Sequence, residues 1–128
     1  MNYFKYSLVG FAAAVVVCLV VAQIPARRGM EFFAALLALT ACVYFGTALS
    51  DGRRSVVIVE TGFALAVFAM ALAGLWFSAA WLAVGYFLHG VWDLLHHPHR
   101  LGAKVVMTWF PPMCLVFDWV VAGFILYV

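Results

Sequence analysis

Five apolar runs, each close to the length that crosses a bilayer, take up most of this 128-residue chain. A transmembrane helix needs about 20 predominantly apolar residues. Hydrophobic residues make up 69% of the chain and charged residues only 9%, a composition that cannot cover the surface of a small soluble domain. We therefore predict a single-domain, all-α membrane protein, a bundle of five transmembrane helices over residues 6–24, 30–50, 55–77, 79–97 and 111–128.

Two prolines set the start of the fifth helix. Pro111 and Pro112 interrupt the last apolar stretch, and a proline inside a helix removes a backbone hydrogen bond that lipid does not replace. The continuous helix is therefore predicted to begin at Pro111, with residues 101–110 as an interfacial segment before it.

The basic residues predict the orientation. Five helices place the two termini on opposite sides of the membrane, and basic residues are enriched in cytoplasmic loops. The side of the N-terminus carries five of the seven basic residues and the other side two, namely Lys5, Arg53, Arg54, Arg100 and Lys104 against Arg27 and Arg28. We predict a multi-pass protein of the cytoplasmic (inner) membrane, with the N-terminus cytoplasmic and the C-terminus outside. So few scattered charges exclude a nucleic-acid surface, which needs a basic face.

All four histidines of the chain fall in the stretch "HGVWDLLHHPHR", residues 89–100. Within it His89, Asp93, His96 and His97 follow the spacing i, i+4, i+7 and i+8. At about 100° per residue this spacing puts them on one face of a helix. His97 lies at the aqueous end and is predicted to be solvated unless a metal recruits it.

Other polar residues fall at the same predicted depth. One face of the second helix carries Tyr44, Thr47 and Asp51. The polarity of this face increases toward the cytoplasmic end of the helix. Glu60 lies near the start of the third helix and Asp118 about two turns into the fifth. An ionisable side chain at membrane depth is costly unless it faces a partner or a wet cavity. These residues are therefore expected to converge.

The convergence predicts a divalent metal site, zinc or iron. Imidazole and carboxylate groups are ligands for both metals. We predict His89, Asp93 and His96 as ligands, with Glu60 or Asp118 as a further ligand or as general base. Two alternatives use the same groups: an interhelical hydrogen-bond cluster that holds the bundle together, and a proton relay or ion path.

The three cysteines, Cys18, Cys42 and Cys114, each lie inside an apolar run. Their positions share no ligand-like spacing, and a free cysteine usually behaves as a small buried hydrophobe. We predict that role for all three, with neither a disulfide nor a metal ligand among them.

The motif H-x-x-W-D-x-x-H-H, followed by "WFPPMCLVFDWVV", resembles a pattern in small uncharacterised bacterial integral-membrane proteins, over roughly the last third of the chain. The pair His89 and Asp93 is also similar to the H-x-x-x-E helix of five-span sterol isomerases of the emopamil-binding-protein type. That resemblance implies proton transfer to and from an apolar ring substrate by these two residues, although here they lie in the fourth span. The histidine boxes of membrane di-iron desaturases are only half matched, because Asp93 stands where a histidine would be.

Three functions follow from this pattern. In the first, a metal enzyme acts on a lipid or isoprenoid that enters from the bilayer, and the ion polarises the substrate or activates a water. In the second, the same residues carry protons or ions across the membrane. In the third, the chain is an accessory subunit of a membrane complex. Membrane lipid is the expected partner in each case, and self-association is an open alternative.

Overall fold

The computed structural model describes residues 2–97, 104 and 106–128, and the regular structure in these residues is entirely helical. Part of the predicted interfacial segment 101–110 lies outside them. The prediction of an all-α chain with five helices is confirmed, and four of the helices, α1, α2, α3 and α5, are long and apolar enough to cross a membrane. The helices are α1 Tyr3–Val21, α2 Ala26–Asp51, α3 Arg54–Trp76, α4 Ala79–His96 and α5 Phe110–Tyr127.

Helix α4 is not among the four helices apolar enough to count as membrane spans, and one of its faces is polar. That face carries His89, Asp93 and His96, and all three side chains are buried. Helix α4 packs against α5, α3 and α2, so its polar groups face other helices. Its mean hydropathy is lowered by groups that are buried against other helices.

The turn between α2 and α3 depends on a glycine. Gly52 has φ 77°, in the left-handed region, where a residue without a Cβ is favoured after a helix end. Its N–H donates to the carbonyl of Ala48 at 3.0 Å. Helix α3 begins two residues later at Arg54, so α2 and α3 pack side by side as a tight helical hairpin.

Helix α5 begins at Phe110, one residue before the predicted start. Pro111 and Pro112 occupy its first turn, where the missing backbone N–H groups would have no intrahelical partner in any case. Helix α1 packs close to this turn: a Cβ added to Gly10 would lie 2.1 Å from the carbonyl oxygen of Met113. The first turn of α5 is therefore buried against α1.

Four helices bring polar side chains to a common depth. Tyr44, Glu60, His89 and Asp118 lie about 9–12 Å, at 1.5 Å per residue, from the ends of α2, α3, α4 and α5 at one end of the bundle. The other half of the interior is apolar and contains the fully buried side chains of Phe33, Leu37, Leu82 and Val121.

Candidate functional site

The polar face of α4 divides into two groups of contacts. His89 and Asp93 point toward α5, where they meet Cys114 and Asp118. His96 points toward α3, where it meets Glu60. The predicted set of ligands is thus split between two neighbouring clusters.

The first cluster, which we call the four-residue group, consists of His89, Asp93, Cys114 and Asp118. All four are buried, and one potential ligand atom from each lies within 4.8 Å of the others. His89 Nδ1 lies 2.6 Å from Asp118 Oδ2 and 3.5 Å from Asp93 Oδ2. The Cys114 thiol donates to Asp118 Oδ2 at 3.8 Å. The Tyr44 hydroxyl donates to Asp93 Oδ1 from the side of α2.

Three atoms of this group remain without a hydrogen-bond partner. Among the described residues no hydrogen bond is made to His89 Nε2, Asp93 Oδ2 or Asp118 Oδ1, although all three atoms are buried. A buried polar atom left unpaired costs about 1–3 kcal/mol. No Lys or Arg in the described part of the chain is buried, so no fixed positive side chain offsets the two carboxylates. The group therefore requires protons or a cation for neutrality.

A glycine permits the close approach of α4 and α5 that forms the group. A Cβ added to Gly90 would lie 2.5 Å from Nε1 of Trp119 and 3.4 Å from the carbonyl oxygen of Leu115. The Trp119 indole stacks on Phe87 with ring centroids 5.7 Å apart and donates to the Phe87 carbonyl. The indole thus covers the backbone of α4 immediately beside His89.

The second cluster consists of Glu60, Trp92 and His96, and its hydrogen bonds are complete. Glu60 Oε2 accepts from Trp92 Nε1 at 2.9 Å, and Glu60 Oε1 lies 2.6 Å from His96 Nε2. His96 Nδ1 lies 2.8 Å from the Trp92 carbonyl, so this nitrogen carries a proton. The contact with Glu60 needs a second proton, on either the carboxyl or the ring. In both arrangements the pair is neutral overall, and both ring nitrogens are occupied.

Tyr44 connects the two clusters. Its hydroxyl donates to Asp93, and its ring lies 4.2 Å from the ring of His96 and 5.8 Å from that of His89, measured between centroids. The tyrosine therefore packs between the clusters and gives a directed hydrogen bond to one of them.

Three residues of the predicted site lie outside both clusters. His97 meets Tyr3 of α1 edge to face, with centroids 4.2 Å apart. Thr47 donates to the backbone carbonyl of Tyr44. Asp51 accepts from Arg53 at 2.5 and 3.0 Å and from the backbone N–H of Lys104, which lies between α4 and α5. Its hydrogen bond with Arg53 raises the pKa of that guanidinium, which keeps this surface pair charged.

Two members of the clusters were not predicted from the sequence. Cys114 was assigned to the apolar core, yet it lies four residues before Asp118, on the same face of α5 once the helix start is known. No role in the site was predicted for Trp92, whose indole N–H donates to Glu60. Helical spacing from Asp118 was the available signal for Cys114, whereas the contact of Trp92 depends on how α3 packs on α4.

The chain belongs to DUF6010, a family of unknown function, whose family model matches residues 6–128. No curated protein matches the chain, and no solved structure matches it.

Proposed function

We propose that this protein is a multi-pass membrane protein that binds one divalent metal ion, zinc or iron, at the four-residue group. The observation that carries the proposal is the set of three buried, unpaired atoms on His89, Asp93 and Asp118. A cation held by these side chains would offset the charge of the two carboxylates and give their unpaired oxygens a partner.

The donor atoms fit such an ion. Imidazole nitrogen, carboxylate oxygen and thiolate sulfur all bind zinc, at about 2.0–2.3 Å. Tetrahedral ligands at those distances lie roughly 3.3–3.8 Å apart, and the potential ligand atoms here all lie within 4.8 Å of one another. The ligand atoms would therefore have to move together by up to about 1 Å to coordinate an ion. In the four-residue group a cation would also balance negative charge, because two carboxylates face a single imidazole.

The membrane assignment extends to α4. We propose that α4 also crosses the membrane, so that all five helices are transmembrane. Its polar face is turned into the bundle, and the N-terminus is cytoplasmic. In a bilayer, polar side chains are tolerated where they face protein partners, and the buried contacts of His89, Asp93 and His96 meet that condition. The site then lies in the inner leaflet of the cytoplasmic membrane.

An enzymatic role is the further part of the proposal. In that role the bound ion would polarise a lipid or isoprenoid that enters from the bilayer, or activate a water, at a coordination position beyond the four protein side chains. Asp118 belongs to the four-residue group, which supports a role at the ion. Glu60 is saturated by His96 and Trp92, which supports a positioning role instead of general-base catalysis.

Proton transfer is the second candidate, and a specific observation favours it. Two histidine–carboxylate contacts of 2.6 Å lie side by side, and Tyr44 packs between them. In that case the unpaired atoms take protons in place of a metal ion.

Metal content separates the two candidates. Detergent-purified wild type and the variants His89→Ala, Asp118→Asn and His97→Ala are incubated with zinc or iron, desalted and analysed for bound metal per chain. We expect wild type and His97→Ala to retain one ion, and the other two variants to lose it. Circular dichroism and size-exclusion profiles establish that each variant is folded. A folded wild type that takes up no metal, or a folded Asp118→Asn that retains it, contradicts the metal proposal.

A further inference from the structure

We infer that Cys114 is the ligand that makes this centre select zinc over harder divalent ions such as manganese. The inference rests on the proposed metal site and assigns its specificity to one side chain. Cys114 is 2% exposed, and its sulfur lies 3.8 Å from Asp118 Oδ2. Cys114 also supplies the sulfur atom of the four-residue group, in which the potential ligand atoms lie within 4.8 Å of one another.

The surroundings of Cys114 differ from those of the other cysteines. Cys18 is buried among apolar side chains such as Ala14 and Val21, and Cys42 is exposed on α2. Both therefore serve as comparisons of the same chemistry away from the site. Cys114 alone among the three joins a group that contains two carboxylates and an imidazole.

The chemistry of the remaining ligands explains why the thiol decides the metal. One imidazole and two carboxylates suit zinc, iron and manganese, because oxygen-rich sites do not discriminate strongly against hard ions. A thiolate favours softer ions, and the thiolate form is the ligand. When the hydrated ion binds, it gives up water molecules, and the thiol proton of Cys114 leaves with them to the solvent. The Tyr44 hydroxyl keeps its hydrogen bond to Asp93 and stabilises the added negative charge.

The test compares the preference for two metals in three proteins. Full-length wild type, Cys114→Ser and the matched control Cys42→Ser are titrated with Zn²⁺ and with Mn²⁺ in detergent, by competition with a chelator. Loss of a residue that only hydrogen-bonds a metal ligand already costs about 10–100-fold in metal affinity, so loss of a ligand should cost no less. We expect the ratio of zinc to manganese affinity to fall at least about tenfold in Cys114→Ser and to stay unchanged in Cys42→Ser. An unchanged ratio in Cys114→Ser overturns the inference.

A measurement on wild type decides the matter even if Cys114→Ser does not fold. Cobalt bound by a thiolate shows a sulfur-to-metal charge-transfer absorption in the near ultraviolet. We expect this band in cobalt-loaded wild type and in Cys42→Ser. Bound cobalt without the band overturns the role of Cys114 and leaves the metal site standing. A wild type that binds neither cobalt nor zinc overturns the metal site itself, and the assignment of Cys114 with it.

Discussion

Replacement of Glu60 tests whether the second cluster is a structural tie between α3 and α4. Both carboxyl oxygens of Glu60 are used, one by Trp92 Nε1 at 2.9 Å and one by His96 Nε2 at 2.6 Å. We compare Glu60→Ala, which removes both contacts, with Glu60→Gln, which keeps the shape of the side chain. The two substitutions should have very different effects.

The magnitude follows from the count of groups left unpaired. In Glu60→Ala, the Trp92 N–H and the His96 Nε2 atom lose their partner, at about 1–3 kcal/mol each. The sum is about 2–6 kcal/mol, and the lower half of this range is expected because a chain unfolded within the membrane also finds partners. We therefore expect a loss of about 2–4 kcal/mol in the free energy of unfolding.

Glu60→Gln should cost less than about 1 kcal/mol. Because His96 Nδ1 donates to the Trp92 carbonyl, a neutral His96 presents a lone pair at Nε2. The glutamine N–H donates to that lone pair, and the glutamine oxygen accepts from Trp92 Nε1. Both contacts are kept without a charge.

The assay is reversible unfolding in mixed detergent micelles, followed by circular dichroism and tryptophan fluorescence. Glu31→Ala is the control, since Glu31 lies at the opposite end of the bundle in exposed ion pairs with Arg27 and Arg28, and its removal should leave unfolding unchanged. A Glu60→Gln variant as unstable as Glu60→Ala would show that the pair requires full charges. Equal stability of Glu60→Ala and wild type would refute the claim that Glu60 stabilises the contact between α3 and α4.

Three further predictions concern the metal site, the helix contact and the orientation. Tyr44→Phe removes the hydrogen bond to Asp93 and should weaken metal binding by about 10–100-fold, while Tyr86→Phe, whose hydroxyl donates to a backbone carbonyl, should leave the metal affinity unchanged; equal affinities in the two variants count against a role for Tyr44. Gly90→Ala places a Cβ 2.5 Å from the Trp119 indole nitrogen and should destabilise the bundle by about 1–3 kcal/mol. Gly62→Ala, where the added Cβ meets open space, should not, and similar unfolding curves for both would contradict the close packing. A reporter fused to the C-terminus should be active only outside the cytoplasm. Activity inside would contradict either five membrane-spanning helices or the cytoplasmic N-terminus.

Helical periodicity predicted the helices and most of the polar clusters. The apolar runs predicted five helices, and the proline pair placed the start of α5 within one residue of Phe110. The spacing of His89, Asp93 and His96 on α4 was sufficient to predict a single polar face, and all three side chains are buried. Such predictions succeed because a helix repeats every 3.6 residues whatever surrounds it.

The partition of that face between two neighbouring helices was beyond the reach of periodicity. His89 lies against α5 and His96 against α3, and this depends on how α4 is rotated between its neighbours. Close contacts at glycines, such as that of Gly90 with Trp119, fix the rotation. Cys114 was missed for a related reason. A single cysteine in an apolar run can be recognised as a possible ligand only when the facing helix, here α4, is known to bring other ligand groups beside it.

The binding of one metal ion at the four-residue group is tested most directly by stoichiometry. Wild-type protein is stripped with a chelator, shown to be folded, and titrated with Zn²⁺ while free and bound metal are measured after equilibrium dialysis. Saturation at one zinc ion per chain is the predicted result, because His89, Asp93, Cys114 and Asp118 form a single group of ligand atoms. A folded protein that reaches the end of the titration with no bound zinc would contradict the account.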